Sequence, residues 1–388
     1  MQGVHGHDPT RYHPSHGDST MSVRIGVVGG AWRAQFFGRL ARDLPEDFEL
    51  VGMTARTTET REAWRQTFRS PTYDTVGELV AGSRPDLVVV AVSHSSNEGV
   101  IREVVSTGAH VLAETPPATD VAGLRRLWQD VGTSSRVQVA EQYPLLPGHA
   151  ARRAVVERGT IGEVTQVQVS STHGYHAVAL IRSFLGAGFG PATVTAHRHV
   201  APLLDPEDRS GWHAVPQVRD ARTTLAVLDL PEGTGLYDFT DNQWHNRLLH
   251  RRILIRGTRG EIQDDSVLHL PEPRTIVRSS IERHQLGYDL DLDGFDTSHL
   301  TFEGSVVHRN PFLGARLADE EIAIATLMRA AGAWARDEGE APCPLAQGLQ
   351  DQLLALAIEE SARTGAAVHT AVEPWASPPG YQPGLARP

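Results

Sequence analysis

Alternation between apolar runs and amphipathic segments dominates the first 140 residues. The apolar runs, typical of strands buried on both faces of a parallel sheet, lie at residues 23–28, 50–55, 86–92, 111–113 and 137–140. The segments between them have helical spacing, at residues 35–44, 59–68, 97–107 and 120–131. This order predicts a doubly wound α/β domain over residues 22–140, with Asp120 capping one helix.

The pattern changes after residue 141. A helix at 150–159 is followed by runs that alternate apolar and polar positions, typical of an antiparallel sheet with one open face. These runs lie at residues 164–170, 193–200, 223–230, 235–239, 252–256 and 275–282. Helical segments at 319–336 and 345–363 follow. We therefore expect a C-terminal α+β domain over 141–372 with a large, open, mostly antiparallel sheet, a disordered tail at 1–21 and an irregular tail at 373–388.

Composition excludes several classes of function. The 388 residues carry a net charge of −11, which argues against a nucleic-acid partner. No apolar run reaches the roughly 18 residues that a membrane span needs, and the single cysteine, Cys343, favours the cytoplasm and excludes a cysteine metal cluster. All 36 basic residues are arginines, so no lysine is present for Schiff-base chemistry.

The first strand leads into a glycine-containing turn. Only Gly29 fits a G-x-G-x-x-G frame, because Ala31 and Ala34 occupy the later glycine positions. Such a turn directs the N–H groups of the next helix at a pyrophosphate. The candidate cofactor contacts here are Gly29, Gly30, Ala31, Trp32 and Arg33.

The end of the second strand usually distinguishes NAD from NADP. An acidic residue there binds the ribose hydroxyls, whereas an arginine suits the 2′-phosphate. The sequence reads Thr54-Ala55-Arg56-Thr57, which has no acid. Arg56 therefore favours NADP over NAD.

Several segments in a fixed order carry a family resemblance. They are RPDLVVVAV, GAHVLAETPPATD, VQVAEQYPLLPGHAARRAVVERGTIGEV, HAVALIRSFLG and RILIRGTRGEIQDD. Over residues 22–370 the chain resembles the Gfo/Idh/MocA oxidoreductases, the family of glucose–fructose oxidoreductase and inositol dehydrogenase. The resemblance implies a Rossmann-type N-terminal domain, a small-molecule substrate such as a sugar or cyclitol, and a homo-oligomer, either dimer or tetramer.

The family's catalytic set is largely replaced in this chain. Family members carry Glu-Lys-Pro where this sequence has Glu114-Thr115-Pro116, and they carry an aspartate where it has Thr172. His176 matches the family histidine. The resemblance therefore implies that Glu114 and Thr115 lie at the nicotinamide, with Ser93 and His94 nearby.

Histidine suits the proton transfer that accompanies oxidation of an alcohol. His176 begins a predicted helix, whose N-terminus favours the neutral imidazole. We expect His176 as acid–base, with Tyr143 and Thr115 as hydrogen-bond donors. Because successive residues of a strand face opposite sides, we place Gln142 rather than Glu141 in the site.

Polar and aromatic residues in two loops are candidates for substrate binding. They are Thr172, His173, Tyr175, Trp244 and His245. No carboxylate has a strong ligand spacing to these histidines, so we expect no metal. Two alternatives to an oxidoreductase stay open: a lyase or glycoside-cleaving enzyme that uses a tightly held cofactor, and a nonredox nucleotide-binding homologue.

Overall fold

A computed structural model describes residues 22–287 and 296–377 of the chain. The predicted tail at 1–21 and the last part of the predicted tail at 373–388 lie outside these residues.

The N-terminal domain is built around a six-stranded parallel sheet. Its strands are β1 (Val23–Val28), β2 (Phe48–Thr54), β3 (Thr72–Tyr73), β4 (Leu87–Val90), β5 (Val111–Ala113) and β6 (Val137–Val139). The order β3-β2-β1-β4-β5-β6 reverses direction at β1, which is the doubly wound arrangement that the sequence predicts. Its helices are α1 (Trp32–Asp43), α2 (Thr58–Phe68), α3 (Val76–Ser83), α4 (His94–Ser106) and α5 (Val121–Val131).

Local sequence explains several of these boundaries. The side chain of Asp120 accepts a hydrogen bond from the N–H of Gly123, which confirms the predicted cap of α5. β3 and α3 are absent from the sequence-based prediction. β3 has only two residues, and α3 has eight residues with a weakly amphipathic pattern, so neither gives a clear periodic signal.

The C-terminal domain contains an 11-stranded sheet. Its strands are β7 (Val164–Ser170), β8 (Thr193–Asp208), β9 (Gly211–Leu230), β10 (Gly233–Thr240), β11 (Arg252–Gly257), β12 (Gly260–Gln263), β13 (Ser266–Glu272), β14 (Thr275–Gln285), β15 (Thr297–Phe302), β16 (Ser305–Arg309) and β17 (Val368–His369). Their order is β16-β15-β14-β13-β12-β11-β7-β10-β9-β8-β17. Within this sheet, only the pairing of β7 with β10 is parallel among the described strands, so the predicted mostly antiparallel sheet is confirmed.

Four α-helices follow β6 among the described residues. They are α6 (Pro147–Glu157), α7 (Gly174–Leu185), α8 (Asp319–Ala335) and α9 (Leu345–Thr364). Of these, α6, α7 and α9 pack on the 11-stranded sheet. α8 packs on the N-terminal sheet, where a Cβ at Gly332 would lie 2.4 Å from the side chain of Val23. α9 packs as closely on β6, where a Cβ at Gly348 would lie 2.6 Å from Val139. The two closing helices therefore fix the domains to each other.

The chain after α9 differs from the predicted irregular tail. Residues Pro374–Ala376 form a short 3₁₀ helix, and Trp375 is fully buried. The indole of Trp375 donates a 2.8 Å hydrogen bond to Gln350 of α9, and Glu373 forms an ion pair with Arg125 of α5. Burial of one large aromatic residue outweighs the loop-like composition around it.

Candidate active site

A cavity of about 1010 Å³ lies between the two domains. The N-terminal domain contributes the ends of β1, β4 and β5, and the C-terminal domain contributes the starts of α6 and α7. Ligands of doubly wound sheets bind at the carboxyl ends of the strands near the point where the strand order reverses. The cavity therefore lies where a dinucleotide and its substrate would meet.

The turn between β1 and α1 fits a pyrophosphate. Gly29 has φ +132°, and a Cβ there would lie 2.1 Å from the carbonyl oxygen of Ala91, so this position requires glycine. Ala31, at the start of α1, supplies no side-chain cap. Because the first N–H groups of a helix have no partner within the helix, those of α1 are available to an anion.

Three predicted cofactor residues, Gly29, Gly30 and Arg56, lie outside the cavity lining. Gly30 faces α2, where a Cβ would lie 2.0 Å from the methyl group of Thr60, so its role is close packing. Arg56 is exposed and forms no ion pair or hydrogen bond with the described residues. Arg56 lies two residues after the end of β2, and the Cβ of Ala55, which precedes it, lies 3.5 Å from the Cβ position of Gly30.

Arg33 connects the nucleotide turn to the Glu114 loop. Its guanidinium donates a hydrogen bond to Glu114 and a second one, of 3.0 Å, to Glu320 at the start of α8. Asn97 braces the loop from α4, because its amide donates to the carbonyl oxygens of Glu114 at 2.7 Å and Pro116 at 2.9 Å. The positively charged guanidinium of Arg33 therefore lies beside the carboxylate of Glu114.

Four more predicted cofactor residues line the cavity. Ser93 and His94 begin α4, Thr115 follows Glu114, and Gln142 follows β6. The amide of Gln142 donates a 3.4 Å hydrogen bond to Glu320. These residues come from three different βα connections, which the parallel sheet brings to one edge.

His176 pairs with a buried carboxylate that the sequence analysis placed outside the site. The Nδ1 atom of His176 lies 2.6 Å from an oxygen of Glu141, whose side chain is only 3% exposed. The second oxygen of Glu141 accepts the N–H of Tyr143 at 2.9 Å. Alternation along a strand does not apply here, because β6 ends at Val139, so Glu141 and Gln142 both reach the site region.

Tyr143 stacks on His176, with ring centroids 4.4 Å apart. Burial raises the pKa of Tyr143 and keeps its hydroxyl protonated. Thr172 is fully buried outside the cavity lining, where it is hydrogen-bonded to Tyr143 and accepts a 3.3 Å hydrogen bond from Trp244. Thr172 therefore positions the two aromatic side chains and does not reach a ligand.

The remaining predicted substrate residues differ in their exposure to the cavity. His173 contacts His176 at 5.1 Å and Trp244 at 4.6 Å between ring centroids. Burial, together with His176 and His94, lowers the pKa of His173 to about 3, so His173 is neutral. His245 lines the cavity beside Trp244. Tyr175 borders the cavity, but its hydroxyl lies 3.0 Å from the Cβ position of Gly348 in the core.

No cluster of three or more histidine, cysteine, aspartate or glutamate side chains with metal-binding geometry occurs among residues 22–287 and 296–377. No helix in these residues is long and apolar enough to cross a bilayer.

A dinucleotide-binding domain that faces an open-sheet domain across a cavity defines the class of NAD(P)-dependent oxidoreductases. Residues 23–141 match the Gfo/Idh/MocA family model, described as "Oxidoreductase family, NAD-binding Rossmann fold". The match covers the N-terminal domain and agrees with the resemblance seen in the sequence. No curated protein matches the chain.

Solved structures share the fold over almost the whole chain. An oxidoreductase from Agrobacterium radiobacter in complex with NAD+, L-tartaric acid and magnesium is 16% identical, with 89% of this chain and 98% of that chain covered and a TM-score of 0.65. An oxidoreductase domain protein from Kribbella flavida is 19% identical, with 90% and 99% covered and a TM-score of 0.64. An NAD binding oxidoreductase from Klebsiella pneumoniae is 15% identical, with 90% and 99% covered and a TM-score of 0.64. At these identities the likeness establishes the fold.

Proposed function

We propose that the enzyme transfers a hydride between NAD(P) and a hydroxyl or carbonyl group of a sugar-like or polyol-like substrate, with His176 as acid–base. The pairing of His176 with the buried Glu141, in the cavity that also receives the nucleotide turn, carries this proposal. L-tartaric acid, present in the Agrobacterium radiobacter structure, also carries hydroxyl groups, which agrees with this substrate class.

The Glu141 carboxylate accepts the Nδ1–H of His176 and leaves Nε2 to exchange a proton with the substrate oxygen. When the imidazole takes up a proton, the adjacent carboxylate stabilises its positive charge. His173 stays neutral and adds no competing charge. The nicotinamide ring, when bound, supplies the hydride acceptor or donor.

Tyr143 and Thr115 complete the proposed catalytic group as hydrogen-bond donors. Tyr143 is stacked on His176 and its hydroxyl stays protonated, so it can donate to the substrate oxygen. Thr115 lines the cavity at the position of the family lysine and supplies a hydroxyl without a charge. The family's charged donor is thereby replaced by neutral donors.

The chain's own residues fit a dinucleotide. The N–H groups at the start of α1 would hold the pyrophosphate, while Ser93, His94 and Glu114 would border the nicotinamide side of the cavity. Arg56 is free to bind a 2′-phosphate, which supports NADP as the preferred cofactor.

We further propose a cytoplasmic homo-oligomer that pairs through the open face of the large sheet. Leu225 and Val227 of β9 and Leu268 of β13 are 41%, 37% and 39% exposed on strands whose alternate residues are buried. Apolar exposure on a sheet face is typical of an interaction surface. Sedimentation analysis would give the number of subunits.

The test is an activity screen of both cofactors against a panel of substrates. Purified protein is incubated with NAD+ or NADP+ and a panel of sugars, sugar acids and polyols, and reduced nicotinamide is measured by its absorbance. We expect reduction with at least one substrate, and a loss of about 10²- to 10⁴-fold in kcat for His176→Ala. Full turnover by His176→Ala would overturn the assignment of the base, and product formation without net reduction would favour a lyase.

A further inference from the structure

The charged residues that line the cavity are largely paired with one another. Arg152 and Asp265 form an ion pair of 2.9 Å, and Arg283 binds both carboxylate oxygens of Asp319. Arg33 binds Glu114 and Glu320, as described above. One further carboxylate, Asp264, accepts the N–H of Ile253 at 2.9 Å.

Two arginines in the cavity lining have no such partner. Arg209 and Arg251 form no ion pair with any carboxylate in residues 22–287 and 296–377, although both line the cavity. Arg252, the neighbour of Arg251, is paired with Asp238 at 2.7 Å and donates to Ser170 at 3.1 Å. The uncompensated positive charge therefore belongs to Arg209 and Arg251.

Arg251 lies beside the predicted substrate residues, and Arg209 lies between them and Trp32 of the nucleotide turn. Arg209 and Arg251 also line a second, adjoining cavity of about 600 Å³, together with Trp244 and His245. Trp244 is connected to His176 through the ring of His173, so the cavity wall that carries Arg251 continues to the proposed acid–base group.

Both arginines are carried by braced loops. Arg209 lies in the turn between β8 and β9, where Asp208 accepts the N–H of Ser210 at 2.7 Å, and its guanidinium lies 3.9 Å from the centre of the Trp32 ring. The loop before Arg251 is closed by Gln243, whose amide donates to the carbonyl oxygen of His250 at 2.8 Å. Loops fixed in this way hold both guanidinium groups at the wall of the second cavity. The two carboxylates in that wall have other partners, because Glu207 pairs with Arg247 and Asp208 accepts from Ser210.

We propose that Arg251, assisted by Arg209, forms an anion subsite that binds a carboxylate or phosphate group of the substrate while a hydroxyl of the same molecule lies at His176. Guanidinium groups recognise such groups with paired, charge-assisted hydrogen bonds. The inference rests on the proposed function and narrows its substrate class to hydroxy acids or phosphorylated polyols.

Binding is the first readout, because it does not depend on hydride transfer. Isothermal titration of the enzyme loaded with NADP+ would compare matched ligands: D-glucose with D-glucuronate, glycerol with D-glycerate, and D-glucose with D-glucose 6-phosphate. We expect at least one acidic member to bind tenfold or more tightly than its neutral partner. Comparison of the carboxylate ligands with the phosphate ligand shows which of the two anionic groups the subsite binds. Equal affinity within all three pairs would overturn the proposal, even if a neutral polyol is oxidised.

Arg251→Gln is the decisive variant, and Arg252→Gln is its matched control. We expect Arg251→Gln to abolish the preference for the acidic ligand and Arg252→Gln to keep it, because Arg252 already has a carboxylate partner. The Kd of NADPH is measured for both variants and for Arg209→Gln. If Arg251→Gln weakens NADPH binding tenfold and keeps the preference for the acidic ligand, the arginine serves the cofactor and the proposal is wrong.

Discussion

Glu141 and His176 lie 35 residues apart in the sequence and 2.6 Å apart in the structure. Glu141 follows β6 of the nucleotide-binding domain, whereas His176 lies in the first turn of α7, beyond β7. The contact therefore fixes the proposed acid–base group relative to the edge of the sheet where the nicotinamide is expected. A carboxylate in this position also selects the imidazole tautomer, because it accepts only from Nδ1–H.

Replacement of Glu141 by glutamine would disturb this tautomer. Glutamine has one acceptor oxygen in place of two. Its N–H₂ group only donates, so either Nδ1–H of His176 or the N–H of Tyr143 loses its acceptor. We expect kcat to fall by about 10- to 100-fold, with a smaller change in KM.

Glu163→Gln, at an exposed carboxylate before β7, is the control for this variant. An unchanged kcat in Glu141→Gln, or a KM that rises as much as kcat falls, would exclude a positioning role for Glu141. A thermal melting temperature measured for each variant separates a loss of activity from a loss of folded protein.

The pairing of Arg33 with Glu114 predicts a large effect on stability. The two side chains are only 13% and 11% exposed, and removal of the cation would leave a nearly buried carboxylate without its charged partner. We expect Arg33→Ala to lower the free energy of unfolding by about 3 kcal/mol in urea denaturation. Glu320→Gln, whose side chain is 51% exposed, should lower it by less than about 1 kcal/mol. Equal effects of both variants would contradict this account.

Cofactor preference depends on Arg56 in our proposal. Arg56→Ala should weaken NADPH binding by about tenfold and leave NADH binding nearly unchanged, because only NADPH carries the 2′-phosphate. Fluorescence titration with both reduced cofactors measures the two Kd values. Arg65→Ala on α2 is the control, since Arg65 is already paired with Glu62. An equal loss of affinity for NADH and NADPH would show that Arg56 does not distinguish the two cofactors.

Sequence patterns predicted most of the fold because its strands are buried or clearly alternating. The run from Leu87 to Val90 is buried throughout, and its continuous apolar character marks a parallel strand. The short strands β12 and β16 escaped prediction, because four or five residues with mixed polarity give no measurable period.

The candidate site was predictable only in part. His176 and the Glu114 loop follow from the family resemblance, whereas the contact of His176 with Glu141 depends on where β6 ends and on how α7 packs. Alternation along a strand could not reveal this contact, because β6 ends at Val139 and does not reach Glu141. Carboxylates of the cavity lining pair with arginines other than Arg251. These pairings depend on tertiary contacts that no local pattern encodes.

The pH dependence of stability should report the burial of His149 at the start of α6. Burial, and then Arg152 and Arg153, lower the pKa of His149 to about 3. Because the folded state disfavours the charged imidazole, the stabilisation is complete above the unfolded pKa of about 6.5 and is lost as pH falls below it. One such group contributes about 2 kcal/mol of lost stability between pH 6.5 and pH 5.

His149→Gln removes this proton uptake. Urea denaturation at pH 7 and pH 5 should therefore show a loss of stability on acidification that is smaller than in the wild type by about 2 kcal/mol. His199→Gln, at an exposed position of β8, should lose as much stability between pH 7 and pH 5 as the wild type. If His149→Gln and His199→Gln lose equal stability between the two pH values, His149 accepts a proton in the folded enzyme and its burial has no effect on acid stability.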